Sequence, residues 1–129
     1  MNMQYGFSKT VNLSFDQTVE KVTEELKKEG FGVLTTIDVK ETLKKKLDVD
    51  FKRYTILGAC NPPFAHKALQ AEEEIGLLLP CNVIVYEKGS ATVVSAFDPM
   101  AMMKVIDNEK MVPIAEEVRN RVKRVIDRM

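Results

Sequence analysis

The sequence predicts an α+β fold: a mainly antiparallel sheet covered on one face by helices, within a single domain spanning 1–129. Three observations carry this reading. Apolar residues recur at period two in some stretches and at helical spacing in others, and the two kinds alternate through the first half of the chain. No Ser/Gly linker, low-complexity stretch or sustained charge block interrupts them. Lys88-Gly89 then sits between two β-prone runs as a hairpin turn, which forces at least one antiparallel pair and stands against the main rival, a doubly wound parallel sheet.

Each element has a local cause. Tyr5 to Leu13 alternates Tyr5, Phe7, Lys9, Val11 and Leu13 with smaller or polar residues, a half-buried strand interrupted only at Lys9. Ser14 with Gln17 resembles a capping box, Phe15, Val19, Val22 and Leu26 follow at helical spacing, and Gly30 stands where the helix would stop. Phe31 to Ile37 is a strand rich in Val, Thr and Ile. Asp38 with Glu41 offers a second capping box ahead of Val39, Leu43 and Leu47, where Lys44-Lys45-Lys46 reads as a solvated helix face before it reads as a binding patch.

Tyr54 to Cys60 is the next strand, and Asn61-Pro62-Pro63 starts a helix with Asn61 as cap, running through Phe64, Ala68, Leu69 and Ile75 to Gly76. Leu77-Leu78-Leu79-Pro80 leads into Cys81, and the hairpin pairs Val83 to Tyr86 with Thr92 to Phe97. Asp98-Pro99 opens a helical turn over Met100 to Val105. A C-terminal helix starting near Pro113 carries the stripe Ile114, Val118, Val122, Val125 and Ile126 opposite Arg119, Arg121, Lys123, Arg124 and Arg128.

Composition narrows the function. With 129 residues, 45% of them hydrophobic, the chain can bury about two-thirds of its unfolded surface and needs no metal or disulfide staple. Its 19 basic and 19 acidic residues cancel, which argues against nucleic acid as a partner. No run approaches the ~20 apolar residues that span a bilayer, and Met1-Asn2-Met3-Gln4 lacks the plan of a signal peptide, so a cytosolic protein with no membrane partner is expected. In that compartment Cys60 and Cys81 are free thiols rather than a disulfide.

The chemically suggestive place is the repeated Cys-Asn pair, in Cys60-Asn61-Pro62 and Pro80-Cys81-Asn82. If the strands that carry them are antiparallel neighbours, the two thiols lie at one end of the sheet; if parallel, at opposite ends. Cys60 precedes a helix start, where unpaired amides and the macrodipole favour a thiolate or an anion. Both cysteines can equally be small core hydrophobes. His66, in the first turns of that helix, could pair with Cys60 as nucleophile and base, or join Cys60 and Cys81 at a metal. The Cys spacing matches no short zinc pattern, however, so no metal is expected, and a lone His at a helix start is more often a surface residue. Asn61 and Asn82 offer ligand-binding amides, or merely a cap and a loop tie. Met100, Met102, Met103 and Met111 could form a flexible lid, although methionine most often fills core gaps. There is no phosphate-cradling Gly loop, nucleophile elbow or paired metal-binding His, and no cofactor is expected.

Ile56-Leu57-Gly58-Ala59-Cys60-Asn61-Pro62 and Gly76-Leu77-Leu78-Leu79-Pro80-Cys81-Asn82-Val83 resemble the signature of domain-of-unknown-function family 302. The likeness extends through Ile37-Asp38, Leu43 to Leu47, Asp50-Phe51, Val85-Tyr86-Glu87 and Asp98-Pro99, nearly the whole chain. The resemblance implies a curved antiparallel sheet, a long C-terminal helix and a homodimer, but no activity. It carries over Cys60, Asn61, Pro62, Pro80, Cys81 and Asn82 as a candidate site. Three readings follow: a binding module for a small ligand or anion, thiol or metal chemistry at the cysteines, and a structural protein-interaction module. A homodimer is also expected on physical grounds, because the uncharged Thr92 to Phe97 run would be an unprotected sheet edge unless a partner, the Met100 to Val105 turn or the C-terminal helix covered it.

Overall fold

A computed structural model describes residues 5–129; Met1-Asn2-Met3-Gln4, the segment read for a signal peptide, lies outside them. The chain runs β1 (Gly6–Val11), α1 (Phe15–Lys28), β2 (Gly32–Asp38), α2 (Val39–Leu47), β3 (Tyr54–Cys60), α3 (Pro62–Ala71), a 3-10 segment Glu73–Leu78, β4 (Cys81–Lys88), β5 (Ala91–Phe97), a second 3-10 segment Pro99–Lys104 and α4 (Met111–Asp127). The Ser14–Gln17 capping box forms in both directions, at 3.1 Å each way, and α1 ends on Gly30, whose φ of +86° suits glycine. Only half of the second box forms. Asp38 caps the Glu41 amide, but the Glu41 carboxylate turns instead to Lys45 at 2.7 Å.

Two helix boundaries differ from the sequence reading. The helix after Asn61 stops at Ala71, not Gly76, because the Asn108 side-chain amide bonds the Ala71 carbonyl and the Glu72 carboxylate, and the chain extends at Glu72 before the 3-10 segment. The C-terminal helix begins at Met111, two residues before Pro113, which sits within its first turn.

The five strands form one sheet in the order β1-β5-β4-β3-β2, with every neighbouring pair antiparallel. This excludes the parallel rival. It also corrects the edge expectation: β5 lies inside the sheet between β4 and β1, so the Thr92 to Phe97 run needs no charge because β1, rather than a partner, the following turn or the C-terminal helix, pairs its outer side. The edges are β1 and β2. Lys9, the odd residue of β1, reaches the Asp127 carbonyl at the end of α4, a cation on a helix C-terminus.

Helices α1 and α4 bury their apolar stripes on one face of the sheet, Val22, Leu26, Val122 and Val125 meeting Leu57, Val83, Val85 and Val94. A second cluster joins Ala68, Ile75, Met102 and Met111, so these two methionines fill a core rather than form a lid. The basic face of α4 is spent on clamping. Arg124 and Arg128 each reach Glu29 at 2.8 Å, Arg128 also reaches Glu25 at 2.7 Å, and Arg119 reaches Asp98 at 3.3 Å. The lysine run of α2 is exposed, with Lys44 paired to Asp48 and Asp50 and Lys45 to Glu41, as a solvated face should be.

Candidate functional site

Antiparallel pairing of β3 with β4 puts Ala59 opposite Cys81, which brings Cys60 and Cys81 to the same end of the sheet. Gly58, opposite Asn82, makes this junction tight: a Cβ there would run into the Thr35 hydroxyl and come within 2.8 Å of Pro80. Beyond that end, α3 and the two 3-10 segments lean against the first turns of α4 without filling the space between. The result is a cavity of about 370 Å³. Its walls are almost wholly apolar, with Phe31 and Leu34 beside β2, Phe64, Ala68 and Leu69 from α3, and Met102, Met111 and Ala115 opposite; Cys60, Asn61 and Cys81 border it.

The candidate residues separate here. Cys81 is partly buried between core and cavity, and burial, reinforced by the nearby Cys60, pushes its thiol up to about 11. Cys60, at the last position of β3, is half-buried, and both thiols are free. Asn61 holds the N-cap position, yet its side chain does not cap the helix; its amide donates instead to the Glu29 carbonyl at 3.2 Å. The reason lies in the sequence. Pro62 and Pro63 have no N–H, so the usual cap acceptor meets few donors and is released for tertiary use.

Those prolines also strip this helix N-terminus of two amides that an anion would need. Pro62 and His66 are exposed and do not border the cavity, because Phe64, Ala65, Ala68 and Leu69 take the inner side of α3. Asn82 projects from the other face of the sheet, near Tyr54, Ile84 and Tyr86, away from the Cys81 thiol. Among the described residues no group of three or more His, Cys, Asp or Glu is placed to hold a metal ion. The structure thus brings Cys60, Asn61 and Cys81 to one cavity and leaves Pro62, His66 and Asn82 outside it.

A model of the family described as "Domain of unknown function DUF302" matches residues 7–129. The chain belongs to this DUF302 family. A crystal structure of the uncharacterized conserved protein DUF302 from Bacillus stearothermophilus is similar at a TM-score of 0.90 and 30% identity, covering 98% of each chain. No curated protein matches. The likeness confirms the α+β fold with its C-terminal helix, and neither description names an activity.

Sequence reasoning missed the cavity walls and the acidic clamp beneath them. Glu29 is buried, and hydrogen bonds from Arg124 and Arg128 hold its carboxyl down at about 2. Its carbonyl accepts from both Asn61 and Arg121, so one residue fastens α1, α4 and the first Cys-Asn motif. One signal was available for the cavity. Phe64, Ala65, Ala68, Leu69 and Ile75, followed by Leu77 to Leu79, are more apolar than one buried helix stripe requires.

Proposed function

We propose that this protein binds a small apolar molecule in the cavity bordered by Cys60, Asn61 and Cys81. The observation that carries the reading is the cavity itself: its volume lies in the small-molecule range, and its lining excludes water better than it attracts ions. The lining is almost wholly apolar, so recognition rests on apolar contact. An anion at the start of α3 has less support, given Pro62 and Pro63. Thiol or metal chemistry has less as well, because both need a thiolate and Cys81 is held protonated.

The neutral fluorophore N-phenylnaphthylamine tests this. It should bind at one per chain and raise the melting temperature. Ala115→Leu, which fills the space, should weaken binding about tenfold in protein whose circular dichroism and cooperative melting show it folded. No binding to the native protein, or equal binding by the folded variant, overturns the reading.

The proposal includes a cytosolic homodimer. No helix among the described residues is long and apolar enough to cross a membrane, and two free thiols suit a reducing compartment. For assembly, support moves from β5 to β2. The outer strand β2 carries no charge before its last residue, Asp38, and exposes Leu34 and Ile37, the kind of edge that a second copy could pair. Sedimentation at micromolar concentration should give twice the chain mass; a strict monomer rejects the dimer and leaves the cavity reading standing.

A further inference from the structure

We infer that the ligand is an amphipathic anion of the alkyl carboxylate class, its chain inside the cavity and its carboxylate at the rim beside Lys67. This rests on the cavity reading above and adds a direction to it. Phe64 is the hinge of the argument. Its side chain lines the cavity, and its ring carries two cations, the Lys67 ammonium 5.5 Å and the Arg121 guanidinium 5.1 Å from the centroid. Neither cation lines the cavity itself, but through the Phe64 ring both stand next to its apolar wall.

The two cations are not equivalent. Arg121 is committed to the Glu117 carboxylate at 3.1 Å and to the Glu29 carbonyl at 3.0 Å. Lys67 is exposed and, among the described residues, is held by the Phe64 ring alone. It can turn toward a carboxylate without breaking an existing ion pair. The 3-10 segment that supplies Ile75 and Gly76 to the cavity has the opposite sign, since it also carries Glu73 and Glu74 exposed.

The interior sets the rest of the orientation. A carboxylate drawn among Ala68, Met102 and Met111 would lose its water with no donor to replace it, a cost of several kcal/mol that its chain does not incur. So the chain goes in and the head stays out, on the Phe64 side. A volume of about 370 Å³ has room for a medium-length alkyl chain.

Decanoate and decanol, which share a chain and differ in charge, test this by displacing N-phenylnaphthylamine from wild type, Lys67→Gln and Lys67→Arg. Decanoate should displace the fluorophore from wild type. Lys67→Gln should raise the decanoate Kd about fivefold, the size of a partly exposed ion pair, with the decanol Kd unchanged, and Lys67→Arg should keep most of the decanoate affinity. If decanoate fails to displace, or Lys67→Gln leaves it unchanged or weakens both ligands equally, the inference is overturned. Should the fluorophore bind while decanoate shows none of this, only the anionic head is wrong; should the fluorophore itself not bind, the cavity reading falls and takes this inference with it.

Discussion

Cys60-Asn61 and Cys81-Asn82 are the same dipeptide at the ends of two paired strands, yet the fold uses them in opposite ways. In the first, asparagine is the buried member, bonded to Glu29, and the thiol is half-buried at the cavity border. In the second, the thiol faces core and cavity while asparagine is exposed on the far side of the sheet. Pleat phase explains the second pair: Cys81 shares a face with Val83 and Val85, so Asn82 must point the other way with Ile84 and Tyr86. The first pair lies in the opposite phase: Leu57 and Ala59 face the core, so Cys60 takes the other phase, and Asn61 returns to the buried side at a helix start whose prolines leave its amide free for α1. A repeated motif thus marks two structural solutions, and only three of its four residues border one cavity.

The largest expected effect separates the two asparagines. Asn61→Ala removes a buried hydrogen bond and should lower stability by about 1–2 kcal/mol, below the upper range because Arg121 still bonds the Glu29 carbonyl. Asn82→Ala, on the exposed face, should stay within about 0.5 kcal/mol. Urea midpoints of the two variants measure the contrast. Equal losses would mean that the dipeptides do the same structural work.

The thiols invert that order. At pH 8 a pKa of about 11 leaves Cys81 with a thiolate fraction roughly a hundredfold below that of an ordinary thiol, and its greater intrinsic nucleophilicity recovers roughly tenfold. Native Cys81 should therefore react with iodoacetamide at least about tenfold more slowly than in urea-unfolded protein, and Cys60, half-buried at the border, should be modified first. Peptide mapping after timed quenching distinguishes them. Cys81 labelling as fast as in the unfolded chain would remove the ground for treating it as a cavity wall.

How much of this was legible follows from how local each cause is. The Ser14 box, the Gly30 stop and the Lys88-Gly89 hairpin are decided within a few residues, and all three read correctly from sequence. β5 did not, because what pairs its outer side is β1, at the far end of the chain. The end of α3 failed for the same reason: Asn108 stops it from 37 residues away. At the site, motif spacing could place Cys60 and Cys81 together once the sheet was antiparallel, but not the side each residue faces. His66 looked suitable by proximity to Cys60, yet the inner side of α3 belongs to Phe64, Ala65, Ala68 and Leu69. Glu29 was invisible, since a glutamate near the end of an amphipathic helix carries no sign that two arginines nearly a hundred residues on will enclose it.

That clamp gives the smallest predicted effect, and it tests whether the first motif really hangs from α1. Glu29 titrates at about 2 in the fold against an ordinary 4.5, lowered chiefly by the Arg124 hydrogen bond, and Glu25 is lowered by Lys28 and then Arg128. A depressed folded pKa contributes stability that is fully present above the ordinary value and is lost as pH falls toward the folded value. Stability should therefore decline between about pH 4.5 and 2. Because the Arg124 and Arg128 side chains remain about half and a third exposed, solvent screening holds the part due to Glu29 near or below about 1 kcal/mol. Glu29→Gln should start less stable at pH 7 and follow a flatter profile below pH 4.5, which urea midpoints across that range will show. A variant as steep in acid as wild type would place the acid-sensitive carboxylates elsewhere, and Asn61 would then depend on the Glu29 backbone without help from its side chain.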